Sequence, residues 1–377
     1  MKNILITGGA GFIGSRLSLE LLNQGHNVRV LDCLSQQIHG DPAENSRLLA
    51  LIKGKVDFIF GSVTNQKDLE RALYGIDTIV HFAAETGTGQ SMYDIKHYAD
   101  VNIGGTALLL DLIANKNLPI EKIIVASSRA IYGEGKYLCS EHGVVFPHPR
   151  AIDDMSKGNF SVHCPICDSI ATVSATDEET PVQPCSMYGV SKLTQEQMVL
   201  TVAKSLGISS IAFRYQNVFG PGQSLTNPYT GILSIFSTRI RNGKDINIFE
   251  DGLESRDFVY IDDVVAATLL GIEYTENITQ SFNVGSGVPT NVLKIAESLQ
   301  QHLGVSVSTN VSGQFRIGDI RHNYADITKI KNVLGFEPKM TIEAGLKEFS
   351  DWVMTEEVQV DRYDQSMKEL TDRGLFK

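Results

Sequence analysis

The stretch KNILITGGAGFIGS at the start of the chain constrains the fold more than any other feature of the sequence. A short apolar run, typical of a buried strand, leads directly into Gly8, Gly11 and Gly14, and a helical pattern follows. Glycine at such a turn lets the backbone approach a pyrophosphate, and the helix amino terminus offers free N–H groups and a favourable dipole to that anion. The stretch therefore predicts a strand, a phosphate-binding loop and a helix that together bind a dinucleotide.

A carboxylate at the end of the second apolar run narrows the dinucleotide to NAD. Asp32 closes the run NVRVLD and lies eighteen residues after Gly14. A carboxylate at this place accepts hydrogen bonds from a ribose diol and repels a 2′-phosphate, so that NAD is favoured over NADP. The alternative interpretation is a surface turn followed by an unrelated aspartate.

The first 130 residues alternate apolar runs with helical patterns, in the order of a doubly wound sheet. The runs KNILIT, NVRVLD, VDFIFG, DTIVHFAA and KIIVASS are continuous, as in parallel strands buried on both faces. We predict an α/β protein with an NAD-binding Rossmann-type domain over 1–217, interrupted by an irregular Cys/His-containing insertion at about 134–184. Residues 218–377 are predicted to form mainly a smaller α/β substrate-binding domain, with about 258–285 returning to the first domain. The charged carboxyl-terminal residues are predicted to form a surface helix.

Charge and cysteine content exclude several classes of function. The formal net charge is -11 and no run of Lys or Arg occurs, which argues against a nucleic-acid partner. No stretch reaches the ~18 uninterrupted apolar residues of a membrane span, and the glycine-rich amino terminus does not fit a signal peptide. The five cysteines are an odd number, as expected for a protein of the reducing cytoplasm. We therefore expect a cytoplasmic protein with no membrane partner.

The stretch CSMYGVSKLTQE carries a candidate catalytic pair. Tyr188 and Lys192 lie at i and i+4 near the start of a predicted helix, so both side chains can reach the same cofactor. A free tyrosine has a pKa of about 10 and is a poor base, whereas a nearby lysine and an oxidised nicotinamide favour the phenolate. Lowering that pKa by ~3 units requires that the phenolate be stabilised over the phenol by about 4 kcal/mol, which two close cations can supply. The alternative is an ordinary amphipathic helix.

Taken in order, these motifs resemble the extended short-chain dehydrogenase/reductase family, in particular its nucleotide-sugar epimerases and dehydratases. The resemblance runs from Lys2 to about Phe349. Gly8, Gly11 and Gly14 are each three residues apart, a spacing that differs from the GxGxxG of two-domain dehydrogenases. It implies an enzyme that uses NAD and acts on a nucleotide-diphosphate sugar. It also implies a homodimer formed through two helices per subunit, which we expect at Ile103–Asn115 and Ser186–Leu206.

The same resemblance assigns a third catalytic residue in VASSRAIYG. The hydroxyl residue four positions before Tyr132 is Ser128, which in the family bonds the reacting sugar oxygen, while Ser127 faces the cofactor. The dehydratases place an Asp-Glu pair directly after this hydroxyl residue. This chain has Arg129 and Ala130 instead, which excludes dehydration but leaves decarboxylation open.

The remaining site residues follow from the family's motifs. Ser62 stands where many relatives have an aspartate that binds adenine, so the adenine contact departs from the family pattern. The predicted cofactor residues are Gly8, Gly11, Phe12, Ile13, Gly14, Asp32, Ser62, Val63, Phe82, Ala83, Ala84, Asn102, Ser127, Tyr188, Lys192, Tyr215 and Val218. The predicted substrate residues are Thr86, Ser128, Arg129, Asn217, Arg256, Arg316 and Asp319. Arginine suits diphosphate oxygens, although the simplest alternative for any one arginine is a surface salt bridge.

Two fragments of the insertion have the spacing of metal ligands. KYLCSEHG contributes Cys139 and His142, and HCPICD contributes Cys164 and Cys167. Four such ligands fill a tetrahedral zinc site and leave no position for catalysis, so we predict structural zinc. The alternatives are four residues without metal, or a CxxC pair that oxidises.

These observations favour an NAD-dependent nucleotide-sugar 4-epimerase, which oxidises C4 transiently and returns the hydride to the opposite face. The insertion and the stretch GPGQSLTNPYTG are similar to the dTDP-L-rhamnose 4-epimerases of bacterial polysaccharide and antibiotic pathways. That similarity implies substrates of the dTDP-6-deoxy-L-hexose class. The alternatives are a nucleotide-sugar 4-ketoreductase or decarboxylase of the same family. A non-catalytic NAD-binding interaction protein is the alternative from another class.

Overall fold

A computed structural model describes residues 1–229 and 231–377, so that Thr230, within the stretch GPGQSLTNPYTG, lies outside the described residues. The described strands are β1 (Asn3–Thr7), β2 (Asn27–Asp32), β3 (Asp57–Phe60), β4 (Thr78–His81), β5 (Lys122–Ser128), β6 (Tyr137–Cys139), β7 (Gly143–Val145), β8 (Thr172–Val173), β9 (Ser209–Tyr215), β10 (Asn217–Phe219), β11 (Ile246–Ile248), β12 (Ser255–Tyr260), β13 (Thr279–Val284), β14 (Pro289–Asn291), β15 (Thr309–Val311) and β16 (His322–Asn323).

The helices alternate with the strands in the first half of the chain and predominate in the second. The described α-helices are α1 (Phe12–Asn23), α2 (Gln36–His39), α3 (Arg47–Ile52), α4 (Gln66–Leu73), α5 (Thr88–Ser91), α6 (Ile95–Tyr98), α7 (Gly105–Asn115), α8 (Ile152–Met155), α9 (Met187–Ser205), α10 (Ile232–Arg241), α11 (Ile261–Glu273), α12 (Val292–Leu303), α13 (Thr328–Leu334), α14 (Ile342–Thr355) and α15 (Tyr363–Asp372). Among these described helices, none combines the length and the apolar character that a membrane span requires.

The main sheet has seven parallel strands in the order β13-β9-β5-β4-β1-β2-β3. Its apolar runs bury both faces, because successive side chains of a strand point to opposite sides. In β1, Ile4 and Ile6 join the hydrophobic core on one face, whereas Leu5 joins the core on the other. The predicted Rossmann-type doubly wound sheet is confirmed.

The order of the strands places a crevice at one edge of this sheet. The chain winds outward from β1 through β2 to β3, and then returns to pair β4 against the other side of β1. In such a sheet the loops after the two central strands diverge, and ligands bind between them. The glycine loop that follows Thr7 and the loop that follows His81 therefore border the same opening.

The second half of the chain forms two smaller sheets beside this opening. One combines β10, β12, β14 and β16, and the other pairs β11 with β15 in parallel. The strand β13 lies at the edge of the main sheet, where it pairs with β9. Segments that carry predicted substrate residues thus face the carboxyl ends of the dinucleotide-binding strands.

The insertion differs from the irregular segment that the sequence predicts. Strands β6, β7 and β8 form a three-stranded antiparallel sheet in the order β7-β6-β8. Alternate residues such as Tyr137, Cys139 and Val145 are buried in a small local cluster. Strands of two or three residues are too short to produce a recognisable alternation, so the sequence pattern does not reveal them.

A buried ion pair holds α9 against β9. The guanidinium of Arg214 donates from Nη2 to Glu196 Oε1 at 2.6 Å and from Nε to both carboxylate oxygens at 3.1 and 3.2 Å. Both side chains are less than a tenth exposed. Burial removes both charges from water, so each depends on the other for compensation.

We expect Glu196→Gln to lower the free energy of unfolding by about 3–5 kcal/mol, because the substitution leaves the buried Arg214 charge uncompensated. The measurement is urea unfolding of the purified protein. Asp351→Asn is the matched control, since Asp351 pairs with Lys347 at an exposed site on α14 and its loss should leave the midpoint unchanged. An equal midpoint for Glu196→Gln and the wild type would contradict a structural role for the pair.

Candidate active site

The glycine loop after β1 has no room for a side chain at Gly8 or at Gly14. Gly8 has a φ of 69°, and a Cβ added to it would lie 2.8 Å from the backbone nitrogen of Ala83. A Cβ on Gly14 would lie 2.6 Å from the carbonyl oxygen of Gly8. The loop therefore exposes bare backbone directly before the amino terminus of α1. This cradle fits the pyrophosphate of NAD, as the sequence motif implies.

Asp32, at the end of β2, is hydrogen-bonded to the glycine loop. Its Oδ2 accepts a hydrogen bond from Ala10 N at 3.0 Å, and its Oδ1 accepts one from Leu34 N at 2.8 Å. Burial raises the pKa of this carboxyl, whereas the bond from Leu34 and the nearby His39 lower it. The carboxylate thus organises the loop and still lines the cavity where an adenosine ribose would bind.

A single cavity of about 1070 Å³ joins the predicted cofactor and substrate residues. It contains every predicted cofactor and substrate residue except Asn102, namely Gly8, Gly11, Phe12, Ile13, Gly14, Asp32, Ser62, Val63, Phe82, Ala83, Ala84, Thr86, Ser127, Ser128, Arg129, Tyr188, Lys192, Tyr215, Asn217, Val218, Arg256, Arg316 and Asp319. The buried hydroxyl of Ser127 has no hydrogen-bond partner among the described residues, which suits the side that faces a bound cofactor.

Asn102 lies behind the cavity and does not line it. Its side chain is fully buried, accepts from Glu85 N at 2.7 Å and donates to Glu85 O at 3.0 Å. It also donates to Ser191 Oγ on α9 at 2.9 Å. Asn102 therefore holds the loop after β4 against α9.

The predicted catalytic residue Tyr188 is positioned by the first turn of α9. Ser186 begins the helix, and its hydroxyl accepts a hydrogen bond from Gly189 N at 3.1 Å. A Cβ on Gly189 would lie 2.6 Å from Ala130 O, so only glycine allows this turn to approach the end of β5 so closely. That approach brings the phenol of Tyr188 close to the hydroxyl of Ser128.

The electrostatic environment of Tyr188 differs from the one argued from the sequence. Burial raises the pKa of the phenol, while the hydrogen bond from Ser128 and the charge of Arg129 lower it. The ammonium of Lys192, to which the sequence argument gives this role, donates to Gln195 Oε1 at 2.7 Å on the next turn of α9. Burial lowers the pKa of Lys192 to about 7. The cation that acts on Tyr188 here is therefore Arg129.

Three guanidinium groups, those of Arg129, Arg256 and Arg316, line the same cavity and lie close enough for their charges to interact. Arg129 donates to Asn217 Oδ1 at 2.7 Å, and burial, followed by the charge of Arg256, lowers its pKa to about 9. Arg316 donates to both carboxylate oxygens of Asp319 at 3.0 Å. Arg256 donates to backbone carbonyls, which fix its direction but do not neutralise it. The arrangement provides several donors for an anion with more than one phosphate.

Sequence analysis missed one wall of the cavity, which α15 supplies. Tyr363, Ser366, Met367 and Leu370 of this helix line the cavity, whereas the sequence predicted only a surface helix. The backbone of the last residues pairs with that of 315–317 around Arg316. No local pattern signals such contacts, because the partners lie far apart in the sequence.

The carboxylate of Glu369 is one of the groups that hold α15 in place. Glu369 accepts hydrogen bonds from Tyr229 at 2.7 Å and from Tyr93 at 3.1 Å. The bond from Tyr229 is the main cause that lowers the pKa of Glu369. The helix is thereby tied to two separate segments at the mouth of the cavity.

We expect Glu369→Ala to raise KM for the sugar substrate roughly tenfold, the equivalent of one or two hydrogen bonds of about 1 kcal/mol each. The reason is that α15 loses its hydrogen bonds to Tyr93 and Tyr229 at the mouth of the cavity, while the cofactor loop is untouched. Steady-state kinetics measure the change. Glu357→Ala, at an exposed position before this helix, is the control, and equal KM values for both variants would contradict this role.

The comparisons with known proteins agree with the geometry of this site. The model of the NAD dependent epimerase/dehydratase family matches residues 4–150 and 165–285. A dTDP-L-rhamnose 4-epimerase from Burkholderia thailandensis is 35% identical over 357 residues, which cover 94% of this chain and 96% of that protein.

Solved structures of nucleotide-sugar epimerases have the same fold. The structure of a UDP-glucose 4-epimerase from Thermotoga maritima, solved with UDP-glucose, superimposes with a TM-score of 0.75 at 30% identity. The match covers 94% of this chain and 99% of the Thermotoga chain. A UDP-glucuronic acid 4-epimerase from Bacillus cereus, in complex with UDP-glucuronic acid and NAD, has a TM-score of 0.75 at 27% identity with the same coverage. The predicted resemblance and the predicted cofactor, NAD, are confirmed. The chain therefore belongs to the NAD dependent epimerase/dehydratase family, as an NAD-using enzyme of its nucleotide-sugar epimerase branch.

Proposed function

We propose that this protein is a nucleotide-sugar 4-epimerase whose substrates are dTDP-6-deoxy-L-hexoses, with dTDP-L-rhamnose as the first to test. The observation that carries the proposal is the single cavity that joins three parts. These are the glycine loop, the Ser128 and Tyr188 hydroxyls, and the three guanidinium groups. A sugar held by its diphosphate at the arginines would present its ring to the hydroxyls and to the cofactor.

The chain's own residues handle the proton and the orientation of the sugar. NAD, when bound, supplies a reversible hydride acceptor beside C4. The Oη of Tyr188 takes the proton of the C4 hydroxyl and later returns it, while Ser128 bonds the same sugar oxygen and keeps it in line. Arg129 favours the ionised phenol during the step, because its charge already acts on Tyr188.

Epimerisation also requires that the hexose turn over without leaving the site. Charge-assisted hydrogen bonds from arginine to phosphate are strong and directional, so the arginine donors of the cavity suit a firm hold on the diphosphate. Small residues such as Ala83, Ala84 and Thr86 line the same cavity and would leave room for the hexose. A firm diphosphate and a loosely held ring together permit the rotation.

The support for the sugar comes from the relative in Burkholderia thailandensis, together with the similarity of the insertion noted in the sequence. UDP-glucose and UDP-glucuronic acid, which the solved relatives bind, are the competing substrates. Asp32 argues against a one-way 4-ketoreductase that uses NADPH, because its carboxylate disfavours the 2′-phosphate of that cofactor.

The test uses the enzyme as purified, with its bound NAD and no added nicotinamide. Separate reactions contain dTDP-L-rhamnose, UDP-glucose or UDP-glucuronic acid, and proton NMR follows the appearance of the C4 epimer. We expect conversion of dTDP-L-rhamnose to an equilibrium mixture and little conversion of the others. Conversion of a UDP sugar but not of dTDP-L-rhamnose overturns the proposed substrate class. If no epimer forms from any of the three sugars, or if CO₂ is released, the proposed epimerase activity is overturned.

We also propose that two copies assemble through α7 and α9. Ala107 on α7 and Val190 on α9 are exposed small or apolar residues on these neighbouring helices. Sedimentation of the wild type should give the mass of a dimer, and Ala107→Arg should give a monomer. A monomeric wild type overturns this assembly.

We further propose that the protein works in the cytoplasm. None of the five cysteines, all of which lie among the described residues, forms a disulfide, as expected for a reducing compartment. Fractionation of the producing cells should find the protein with cytoplasmic markers. Recovery from an oxidising compartment with disulfides formed contradicts the proposal.

A further inference from the structure

We infer that the insertion at 134–184 binds one zinc ion in a closed tetrahedral site. The four ligands are Cys139, His142, Cys164 and Cys167. This site lies apart from the catalytic hydroxyls and does not depend on the proposed reaction. Part of the insertion, residues 151–164, also lies outside the stretches that match the family.

Three of the six distances between the ligand atoms match the edges of a zinc tetrahedron. All four atoms lie within 4.8 Å of one another. With Zn–S of about 2.3 Å and Zn–N of about 2.0 Å, tetrahedral angles place two sulfurs about 3.8 Å apart and a sulfur about 3.5 Å from a nitrogen. The Sγ atoms of Cys139 and Cys167 are 3.6 Å apart. The Nδ1 of His142 lies 3.6 Å from Cys139 Sγ and 3.8 Å from Cys164 Sγ.

These distances do not fit a disulfide. Bonded sulfurs are about 2.05 Å apart, so the 3.6 Å between Cys139 and Cys167 is a contact between separate atoms. Three sulfurs and one imidazole nitrogen form the ligand set that zinc prefers over hard cations. Because all four positions are protein ligands, the site is structural.

Polar groups around the sulfurs suit their metal-bound form. Glu141 N donates to Cys139 Sγ at 3.4 Å. The hydroxyl of Ser169 lies 3.5 Å from Cys139 Sγ and 3.1 Å from Cys167 Sγ. Donors around ligand sulfurs stabilise their negative charge and fix their orientation.

The insertion needs such a centre because its own core is small. Its strands β6, β7 and β8 have three, three and two residues. The buried hydrophobic cluster around its strands consists of Tyr137, Cys139, Val145, Val162, Cys164 and Ala171, and its other buried cluster has only Met155 and Phe160 with Phe315. Segments of this size with so small a core are commonly stabilised by a metal or by disulfides. Two of the six cluster members are themselves proposed ligands.

The folded insertion supports the substrate end of the cavity. Arg150 donates to Glu134 Oε1 at 3.0 Å and to Glu250 Oε2 at 2.8 Å, and all three side chains are buried. Its Nη2 also donates to the backbone oxygen of Asp319 at 3.1 Å. Asp319 in turn holds Arg316. Arg150 is therefore a positioning residue, and loss of zinc should weaken substrate binding more than NAD binding.

The test begins with the metal content of the full-length protein, purified without chelators. Mass spectrometry of the metal should find about one zinc per chain. Cys164→Ser and Cys167→Ser should each lose most of it, whereas Cys33→Ser and Cys185→Ser, the matched controls outside the cluster, should keep it. Protein produced with cobalt should show the intense visible bands of a tetrahedral cobalt thiolate, a readout that does not require any variant to fold.

The second measurement compares protein stripped with a chelator against protein reloaded with zinc. We expect KM for the sugar to rise about tenfold on stripping and to recover on reloading, with bound NAD unchanged. The proposed zinc site is overturned if the wild type contains no zinc. It is also overturned if the mass of the chain is about two daltons below that of the fully reduced chain, which would reveal a disulfide. Full zinc content in the Cys164→Ser and Cys167→Ser variants overturns the ligand assignment.

Discussion

Replacing Tyr188 by phenylalanine should reduce kcat for epimerisation by about 10³-fold or more, while the protein keeps its fold and its NAD. The phenol is the group close to Ser128 that can accept the C4 hydroxyl proton, and general base catalysis contributes ~10²–10⁴ to a rate. Phenylalanine preserves the ring and removes only the oxygen. The helix start is unaffected, because it is set by the hydroxyl of Ser186, which accepts from Gly189 N, and by the close approach of Gly189 to Ala130.

The measurement is the initial rate of C4 epimer formation by NMR, together with the NAD content and the melting temperature of the variant. Tyr74→Phe, at a highly exposed tyrosine, is the control and should behave as wild type. A non-catalytic NAD-binding protein would tolerate Tyr188→Phe without any functional loss. A rate within tenfold of wild type would therefore contradict the assigned role.

Arg316→Ala should raise KM for the sugar by about 10- to 150-fold with little change in bound NAD. A hydrogen bond to a charged group contributes about 1.5–3 kcal/mol, and each 1.4 kcal/mol corresponds to a factor of ten. The substitution also leaves Asp319 without its bidentate partner beside an incoming diphosphate. Both effects act on the substrate and not on the glycine loop.

Two further variants sharpen this test. Arg316→Lys keeps the charge but loses the planar fork, so its KM should lie between those of the wild type and the alanine variant. Arg47→Ala removes an exposed arginine that pairs with Glu356 away from the diphosphate end, and it should leave KM unchanged. A KM for Arg316→Ala within twofold of wild type would mean that this arginine does not hold the substrate.

The features that the sequence predicts well are local or ordered along the chain. Gly8, Gly11 and Gly14 follow a strand and open a helix, so their neighbours in sequence are also their neighbours in space. The same holds for the CxxH and CxxC pairs of the insertion, whose spacing alone brings each pair to one place. The apolar runs predict the strands because parallel strands are buried on both faces.

The features that the sequence could not predict depend on contacts between distant segments. Glu369 meets Tyr93 and Tyr229 across more than a hundred residues, and no periodicity relates them. The direction of the Lys192 ammonium depends on Gln195, which in turn contacts buried groups of the main sheet. Motif spacing places a residue on an element, but only the packed structure decides which neighbour its side chain reaches.

In the proposed reaction, hydride leaves C4 and returns to the opposite face of the same sugar within one cavity. The decisive experiment uses substrate carrying deuterium at C4, incubated with enzyme that holds its own NAD and with no added cofactor. We expect the epimer to form with deuterium retained at C4, even in ordinary water. Formation of an epimer that carries solvent hydrogen at C4 would contradict it, because the bond would then break by proton loss.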